Sequence, residues 1–85
     1  MEVVLHKSFK KNFKKLPPKI RKQFYERAEL FAANKFNAIL NNHSVDQAYT
    51  NCRSINVTGD YRAIFRENAE VAIFLDIGTH SELYG

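Results

Sequence analysis

The spacing of apolar residues changes from a helical period to a period of two near the middle of the chain, and this change limits the folds available to it. In the first part, Phe9, Phe13 and Leu16 recur at the spacing of one helix face. From Cys52 onward, short stretches alternate between the two faces of a strand and are separated by turn residues. Helices followed by a run of strands predict an α+β domain, with the helices packed on one face of a sheet.

Two helices joined by a proline pair are predicted in the first part of the chain. Ser8 is the predicted N-cap of the first helix. Pro17-Pro18 must end this helix, because the residue before a proline is disfavoured in the α region, and proline also suits the first turn of a second helix. The second helix is predicted to run to about Asn34. Together the two helices form an αα-hairpin whose outer face carries lysines.

Four strands are predicted around this hairpin. Their predicted ranges are 2–5, 52–57, 61–67 and 71–77. The last three are joined by tight turns and form an antiparallel meander, and the first is expected at an edge of the sheet. The predicted order is β-α-α-β-β-β in one domain, residues 1–85, with the helical hairpin packed on a small, twisted antiparallel sheet.

Composition supports one modest core and argues against several classes of protein. The apolar fraction is 45%, with seven Phe and four Tyr, which argues against disorder. The single cysteine, Cys52, excludes an internal disulfide, and the scattered histidines lack the spacing of paired metal ligands. There is no glycine-rich phosphate loop, no signal-peptide pattern and no stretch that could span a bilayer. We therefore expect a cytoplasmic protein without a metal or other cofactor.

Positive charge is concentrated at the start of the chain. From Lys7 to Lys22 there are eight Lys or Arg and no acidic residue, whereas after Lys22 eight acidic residues outnumber five basic ones. This asymmetry is typical of a protein that binds a polyanion, although a solvated helix face gives the same pattern. The candidate binding residues are Lys10, Lys11, Lys14 and Lys15.

Four polar residues are candidates for chemistry: His43, Asp60, Arg62 and His80. Asp60 and Arg62 stand at the start of the central strand, where a period of two places them on the same face. His80 follows the last strand, whose end lies beside the start of its antiparallel neighbour. We therefore expect His80 near Asp60 and Arg62, whereas the pattern does not constrain His43.

Each candidate also has an ordinary structural role open to it. Asp60 is a common turn residue, and Arg62 can form a surface pair with Asp76 or Glu67. His80 can cap the end of the sheet, and His43 can be a solvated loop residue. The sequence pattern alone leaves these alternatives open.

The four residues fit metal-free RNA cleavage. In that reaction a base takes the proton of the 2′-hydroxyl, a cation stabilises the charge on the phosphoryl oxygens, and an acid protonates the departing 5′-oxygen. Histidine suits either proton transfer near neutral pH. An aromatic side chain near the cut would hold an unstacked base.

Several segments of the sequence carry a family resemblance that covers nearly the whole chain. They are Phe9-Lys10-Lys11, Lys15-Leu16-Pro17, Leu40-Asn41-Asn42-His43, Arg53-Ser54-Ile55-Asn56-Val57, Asp60-Tyr61-Arg62-Ala63-Ile64-Phe65-Arg66 and Ile77-Gly78-Thr79-His80-Ser81-Glu82-Leu83-Tyr84. On these residues the chain resembles the RelE/ParE superfamily of type II toxins, and most closely its YafQ-like mRNA interferases. The closing Gly-Thr-His-Ser-Glu-Leu-Tyr is the most specific segment.

The resemblance implies roles for the four candidates. His80 matches the catalytic histidine near the C-terminus, His43 the loop histidine, and Asp60 the acidic residue at the start of the central strand. Arg62 resembles the arginine that faces the scissile phosphate in RelE-type members.

The resemblance also implies substrate contacts. Tyr84 matches the terminal aromatic residue, and Tyr61 stands where YafQ-like members often have Trp. Arg53 and Asn56 are further substrate-binding candidates on the preceding strand. Because YafQ-like members have a second histidine at the position of Asn56, the general base remains open between His43 and Asp60.

As an mRNA interferase, the protein would bind the ribosome (16S rRNA) and mRNA through its lysines, and a cognate antitoxin would block it, with a toxin–antitoxin heterotetramer as one expected assembly. Two alternatives share the fold: a ParE-like poison of DNA gyrase, and an inactive relative that only binds its antitoxin.

Overall fold

Five strands form a single mixed sheet, and two helices pack on one of its faces, in a computed structural model that describes residues 1–85. The elements in chain order are β1 Glu2–Leu5, α1 Lys7–Phe13, α2 Pro18–Ala33, a 3₁₀ turn Ala38–Leu40, β2 His43–Ser44, β3 Arg53–Asn56, β4 Tyr61–Asn68, β5 Val71–Thr79 and α3 His80–Tyr84. The spatial order of the strands is β1-β5-β4-β3-β2. The predicted α+β class is confirmed, and so is the meander of β3, β4 and β5.

The first strand lies at an edge of the sheet, as predicted, but the sheet is not wholly antiparallel. β1 pairs with β5 in parallel, in a register that runs from Glu2 opposite Val71 to Leu5 opposite Phe74. Parallel neighbours need a long crossover connection, and the residues between β1 and β5, both helices included, supply it. Alternation within the first four residues could not reveal this direction.

The helical hairpin forms where the prolines predict it, but the cap of α1 differs from the prediction. His6 is the N-cap, and its Nδ1 accepts a hydrogen bond from the Ser8 backbone N–H at 3.1 Å. Ser8, the predicted cap, instead donates its hydroxyl to the Leu75 carbonyl oxygen at 2.7 Å and so ties α1 to β5. α2 begins at Pro18, which confirms the role of the proline pair.

Phenylalanine rings fill the core between the helices and the sheet. Phe74 on β5 is fully buried, and its ring centroid lies 6.0 Å from Phe9, 5.5 Å from Phe24, 5.5 Å from Phe31 and 5.1 Å from Phe65. Each such aromatic pair stabilises a protein by about 0.5–1.5 kcal/mol beyond the burial of its area. The rings therefore fix the hairpin against the sheet and leave the other sheet face for other contacts.

The C-terminal helix α3 lies over the opposite face of the sheet. Gly78 is the cross-strand partner of Arg62, so the two residues share a face, and a Cβ at Gly78 would lie 3.2 Å from Glu82 Oε1 and 3.5 Å from Leu83 Cγ. A side chain at this position would therefore press on Glu82, and glycine allows the close approach of α3 to β5 without that shift. No helix combines the length and the apolar character that crossing a membrane demands.

Candidate active site

The turn between β3 and β4 meets the start of α3 at one end of the sheet. The His80 backbone N–H donates a hydrogen bond to the Asp60 carbonyl oxygen at 3.2 Å, and Tyr61 is the cross-strand partner of Thr79. The antiparallel pairing thus brings His80 beside Asp60, as the sequence pattern predicts. Asp60 itself lies in the turn rather than in β4, and its exposed carboxylate makes no hydrogen bond within the protein.

The guanidinium of Arg62 is held at the same turn. Its Nη1 donates to the carbonyl oxygens of Thr58 at 3.0 Å, Gly59 at 3.1 Å and Tyr61 at 3.2 Å. The other guanidinium nitrogens have no partner within the protein, and Arg62 pairs with neither of the acidic residues considered from the sequence. A cation with unused donors therefore lies in the turn that carries Asp60.

Two polar side chains on β3 share the face of Arg62. Asn56 is the cross-strand partner of Arg62, and its buried Oδ1 has no hydrogen-bond partner. The hydroxyl of Ser54, two residues earlier, is also buried without a partner. Buried polar atoms without partners are rare in folded proteins, so this part of the sheet holds polar groups that the fold itself does not satisfy.

His43 lies on β2, at the far side of β3 from Arg62. It pairs across the sheet with Ser54, so it shares the face of Asn56 and Arg62. Its Nδ1 lies 2.7 Å from the carbonyl oxygen of Asn41 and donates to it, because a carbonyl can only accept. The neutral ring therefore carries its lone pair on Nε2. Strand spacing places the Cα of His43 about 10 Å from β4.

α3 places His80 and Tyr84 on one side of a single helical turn. Their ring centroids lie 4.8 Å apart. The helix begins with a capping box: the Thr79 hydroxyl accepts from the Glu82 N–H at 3.2 Å, and the Glu82 carboxylate accepts from the Thr79 N–H at 2.8 Å. The sequence prediction did not include this helix, although Thr79-Xaa-Xaa-Glu82 is the pattern that signals it.

Tyr49, which the sequence prediction missed, holds α3 from the side. Its hydroxyl donates to the Leu83 carbonyl oxygen at 2.8 Å, and its ring meets the Tyr84 ring edge-on at 6.0 Å between centroids. Burial, assisted by the negative charge of Asp76, raises the pKa of the Tyr49 hydroxyl. No spacing in the sequence links residue 49 to the chain end.

Two predicted substrate contacts lie on the helix-packed face and are not brought together with Arg62. Tyr61 is next to Arg62 in β4 and so points the other way; it packs against the core and lines a groove of about 350 Å³ that also includes Lys15. Arg53 donates from Nε to Asn42 Oδ1 at 2.8 Å and so binds the segment before β2. Their roles in substrate binding remain predictions.

The candidate lysines form an exposed basic surface on the helical hairpin, which we define as Lys10, Lys11, Lys14 and Lys15. Phe9 and Phe13 on the same helix are buried, so the lysines lie away from the core. The one ion pair in the protein joins Lys35 and Glu67 at 3.0 Å, which leaves the basic surface without acidic partners. No three His, Cys, Asp or Glu side chains lie close enough together to hold a metal ion.

The sequence matches the family model of the ParE toxin of type II toxin–antitoxin system, parDE, over residues 3–84. The chain therefore belongs to this toxin family, within the RelE/ParE superfamily. No curated protein is significantly similar to it in sequence.

Solved structures show the same fold. YafQ from E. coli BL21(DE3) superposes with a TM-score of 0.81 at 18% identity, over 99% of this chain and 98% of YafQ. RelE in the RelB–RelE antitoxin–toxin complex of Methanococcus jannaschii gives 0.76 at 26% identity, over 95% and 94%. The E. coli DinJ–YafQ toxin–antitoxin complex gives 0.79 at 18% identity, over 99% and 97%. The superfamily and the RelE-like fold expected from the sequence are confirmed.

Proposed function

We propose that this toxin inhibits translation as an endoribonuclease that cuts mRNA on the ribosome and uses its own side chains for both proton transfers. The observation that carries the proposal is the arrangement of polar residues across one face of the sheet. Asn56 on β3 and Arg62 on β4 are cross-strand partners, His43 on β2 shares their face beside Ser54, and His80 follows β5 with Asp60 beside it. This arrangement puts His80 and Asp60 at the turn that holds Arg62, and His43 on the same face of the sheet two strands away.

Arg62 is positioned to stabilise the charge that develops on the scissile phosphate. Its Nη1 is fixed by three turn carbonyls, so the remaining guanidinium donors are held in place before any substrate binds. Donors that need no reorganisation stabilise a transition state more than mobile ones do. The amide of Asn56 adds a polar group at the next strand.

His80 is the proposed general acid. A base removes the 2′-hydroxyl proton, the 2′-oxygen forms a bond to phosphorus, and the bond from phosphorus to the 5′-oxygen breaks. His80 then gives its proton to that oxygen, which leaves a 2′,3′-cyclic phosphate and a 5′-hydroxyl. Tyr84, in contact with the His80 ring, offers a surface on which a base next to the cut can stack.

Two residues can serve as the base, and they differ in what supports them. The bond from His43 Nδ1 to Asn41 leaves Nε2 as a proton acceptor, but His43 lies two strands away from Arg62. Asp60 is adjacent to His80, and its carboxylate makes no hydrogen bond within the protein; both candidate bases are exposed. Imidazole groups titrate near neutral pH and carboxyl groups well below it. The acidic limb of the pH–rate profile in Asp60→Asn and His43→Gln variants therefore identifies the base.

The lysines of the basic surface are the proposed contacts to ribosomal RNA. They are exposed and free of acidic partners. The solved complexes of related toxins with RelB and DinJ support the further proposal that this chain has a cognate antitoxin of its own.

Primer extension on a reporter mRNA tests the proposal. The purified toxin is expected to cut the mRNA only when ribosomes are present, and His80→Ala is expected to leave it whole. The match to the ParE toxin family is the observation that supports a second candidate function, a poison of DNA gyrase. Intact mRNA together with trapped gyrase–DNA complexes would establish that function instead, and the absence of both effects would identify an inactive relative.

A further inference from the structure

One side chain outside the candidate active site reaches the C-terminal helix. Tyr49 lies in a hydrogen-bonded turn between β2 and β3, in which its backbone N–H donates to Val45 and its carbonyl accepts from Cys52. The Cys52 side chain is buried, so this turn is anchored to the body of the protein. From that anchor the Tyr49 hydroxyl donates to the Leu83 carbonyl oxygen, 34 residues away in sequence, at 2.8 Å.

α3 has few other attachments. The helix has five residues, too few to be stable alone in water. At its start, His80 is held by the bond from its N–H to Asp60 and by the capping box. At its end, the Tyr49 hydroxyl is the only side chain that donates a hydrogen bond to a carbonyl of the helix. The last turn is therefore held by this hydrogen bond together with the packing of the Leu83 side chain over Gly78.

A row of three rings connects Tyr49 to His80, the proposed general acid. The Tyr49 ring meets Tyr84 edge-on at 6.0 Å, and Tyr84 in turn contacts His80 at 4.8 Å between centroids. Because Tyr84 is half-buried between the two, its orientation is set from the Tyr49 side. A change at Tyr49 would thus reach His80 through one intervening ring.

We propose that Tyr49 is a positioning residue that docks the C-terminal helix and so orients His80 for cleavage. This inference rests on the proposed function. Burial keeps the Tyr49 hydroxyl protonated, because it raises the pKa, so the donor is present at physiological pH. Tyr49 touches no reacting atom; it acts through Tyr84 and the Leu83 backbone.

Tyr49→Phe tests the proposal, because it removes the hydroxyl and keeps the ring. Tyr25→Phe is the matched control: Tyr25 is 56% exposed, its hydroxyl makes no hydrogen bond, and it lies outside the site. One hydrogen bond changes the population of a docked state by about two- to tenfold. We expect the backbone amides of His80 and Gly85 to exchange with deuterium faster by that factor in Tyr49→Phe and at the wild-type rate in Tyr25→Phe.

Kinetics over a range of ribosome–mRNA concentrations, up to saturation, then separate positioning from binding. The expected result for Tyr49→Phe is a lower kcat, by about two- to tenfold, with an unchanged KM and a weakened nuclear Overhauser effect between the Tyr84 and His80 rings. Unchanged amide exchange overturns the proposal whatever the protein's activity. Faster exchange with wild-type kcat also overturns it but leaves the proposed function intact. A wild-type protein that cuts no mRNA overturns both.

Discussion

Neutralising the basic surface should weaken ribosome binding by an amount that the salt dependence reveals. The variant replaces Lys10, Lys11, Lys14 and Lys15 with Gln, four exposed side chains without acidic partners. Each cation that contacts a phosphate releases counterions on binding and contributes about 0.7–0.9 to the slope of log affinity against log salt concentration. If all four contact RNA, the slope should fall in magnitude by about 3 to 4.

The same slope sets the change in affinity. Between about 50 and 200 mM salt, the wild-type affinity for ribosomes should fall about 100-fold more than that of the variant. Sedimentation of the toxin with ribosomes across a salt series measures both quantities. Replacing the same four lysines with Arg keeps the charge and is the matched control, and its slope should equal that of the wild type.

The fold should tolerate both sets of substitutions. Gln, Lys and Arg have similar helix propensities, and the buried residues of α1 are Phe9 and Phe13, so the thermal midpoints should stay close to that of the wild type. An unchanged salt slope in the Gln variant would refute the assignment. It would show that the lysines are a solvated helix face.

Three further predictions follow from single side chains. His80→Ala should reduce mRNA cleavage about 10²–10⁴-fold in primer extension with little change in thermal midpoint, and near wild-type cleavage would show that His80 is structural. Phe74→Ala should lower the free energy of unfolding by about 3–5 kcal/mol in urea titrations, whereas Phe36→Ala, at a side chain 61% exposed, should change it by less than about 0.5 kcal/mol. Gly78→Ala should push on Glu82, loosen the capping box and lower cleavage by about fivefold, while Gly59→Ala, with nothing within 4 Å of the new methyl group, should have no effect.

Local rules predicted those parts of the fold whose determinants are close in sequence. Pro17-Pro18 marks the junction of α1 and α2, and the period of two marks β3, β4 and β5. The predicted N-cap of α1 was wrong because the Ser8 hydroxyl donates its hydrogen bond to the Leu75 carbonyl oxygen, which is near only in the folded chain. The direction of β1 is likewise decided by β5 at the other end of the chain.

In the candidate active site, too, only the features with local determinants could be predicted. The proximity of His80 and Asp60 follows from antiparallel pairing and was predictable. The hydrogen bonds of Arg62 at the turn were not predictable. The guanidinium binds three carbonyl oxygens instead of an acidic side chain, and this depends on the shape of the turn. Tyr49 was missed because its hydroxyl bonds to a residue 34 positions later in the sequence, and such a contact produces no periodic pattern of residues.

The two faces of the sheet separate stability from the proposed chemistry. The phenylalanine core lies between the helices and one face, while Arg62, Asn56 and α3 lie on the other. Substitutions at His80 should therefore alter cleavage without much change in unfolding, and substitutions such as Phe74→Ala should do the reverse. The exceptions are residues that attach α3 to the sheet, above all Gly78. There a single added methyl group affects both a packing contact and the helix that carries His80, so loss of stability and loss of cleavage should appear together.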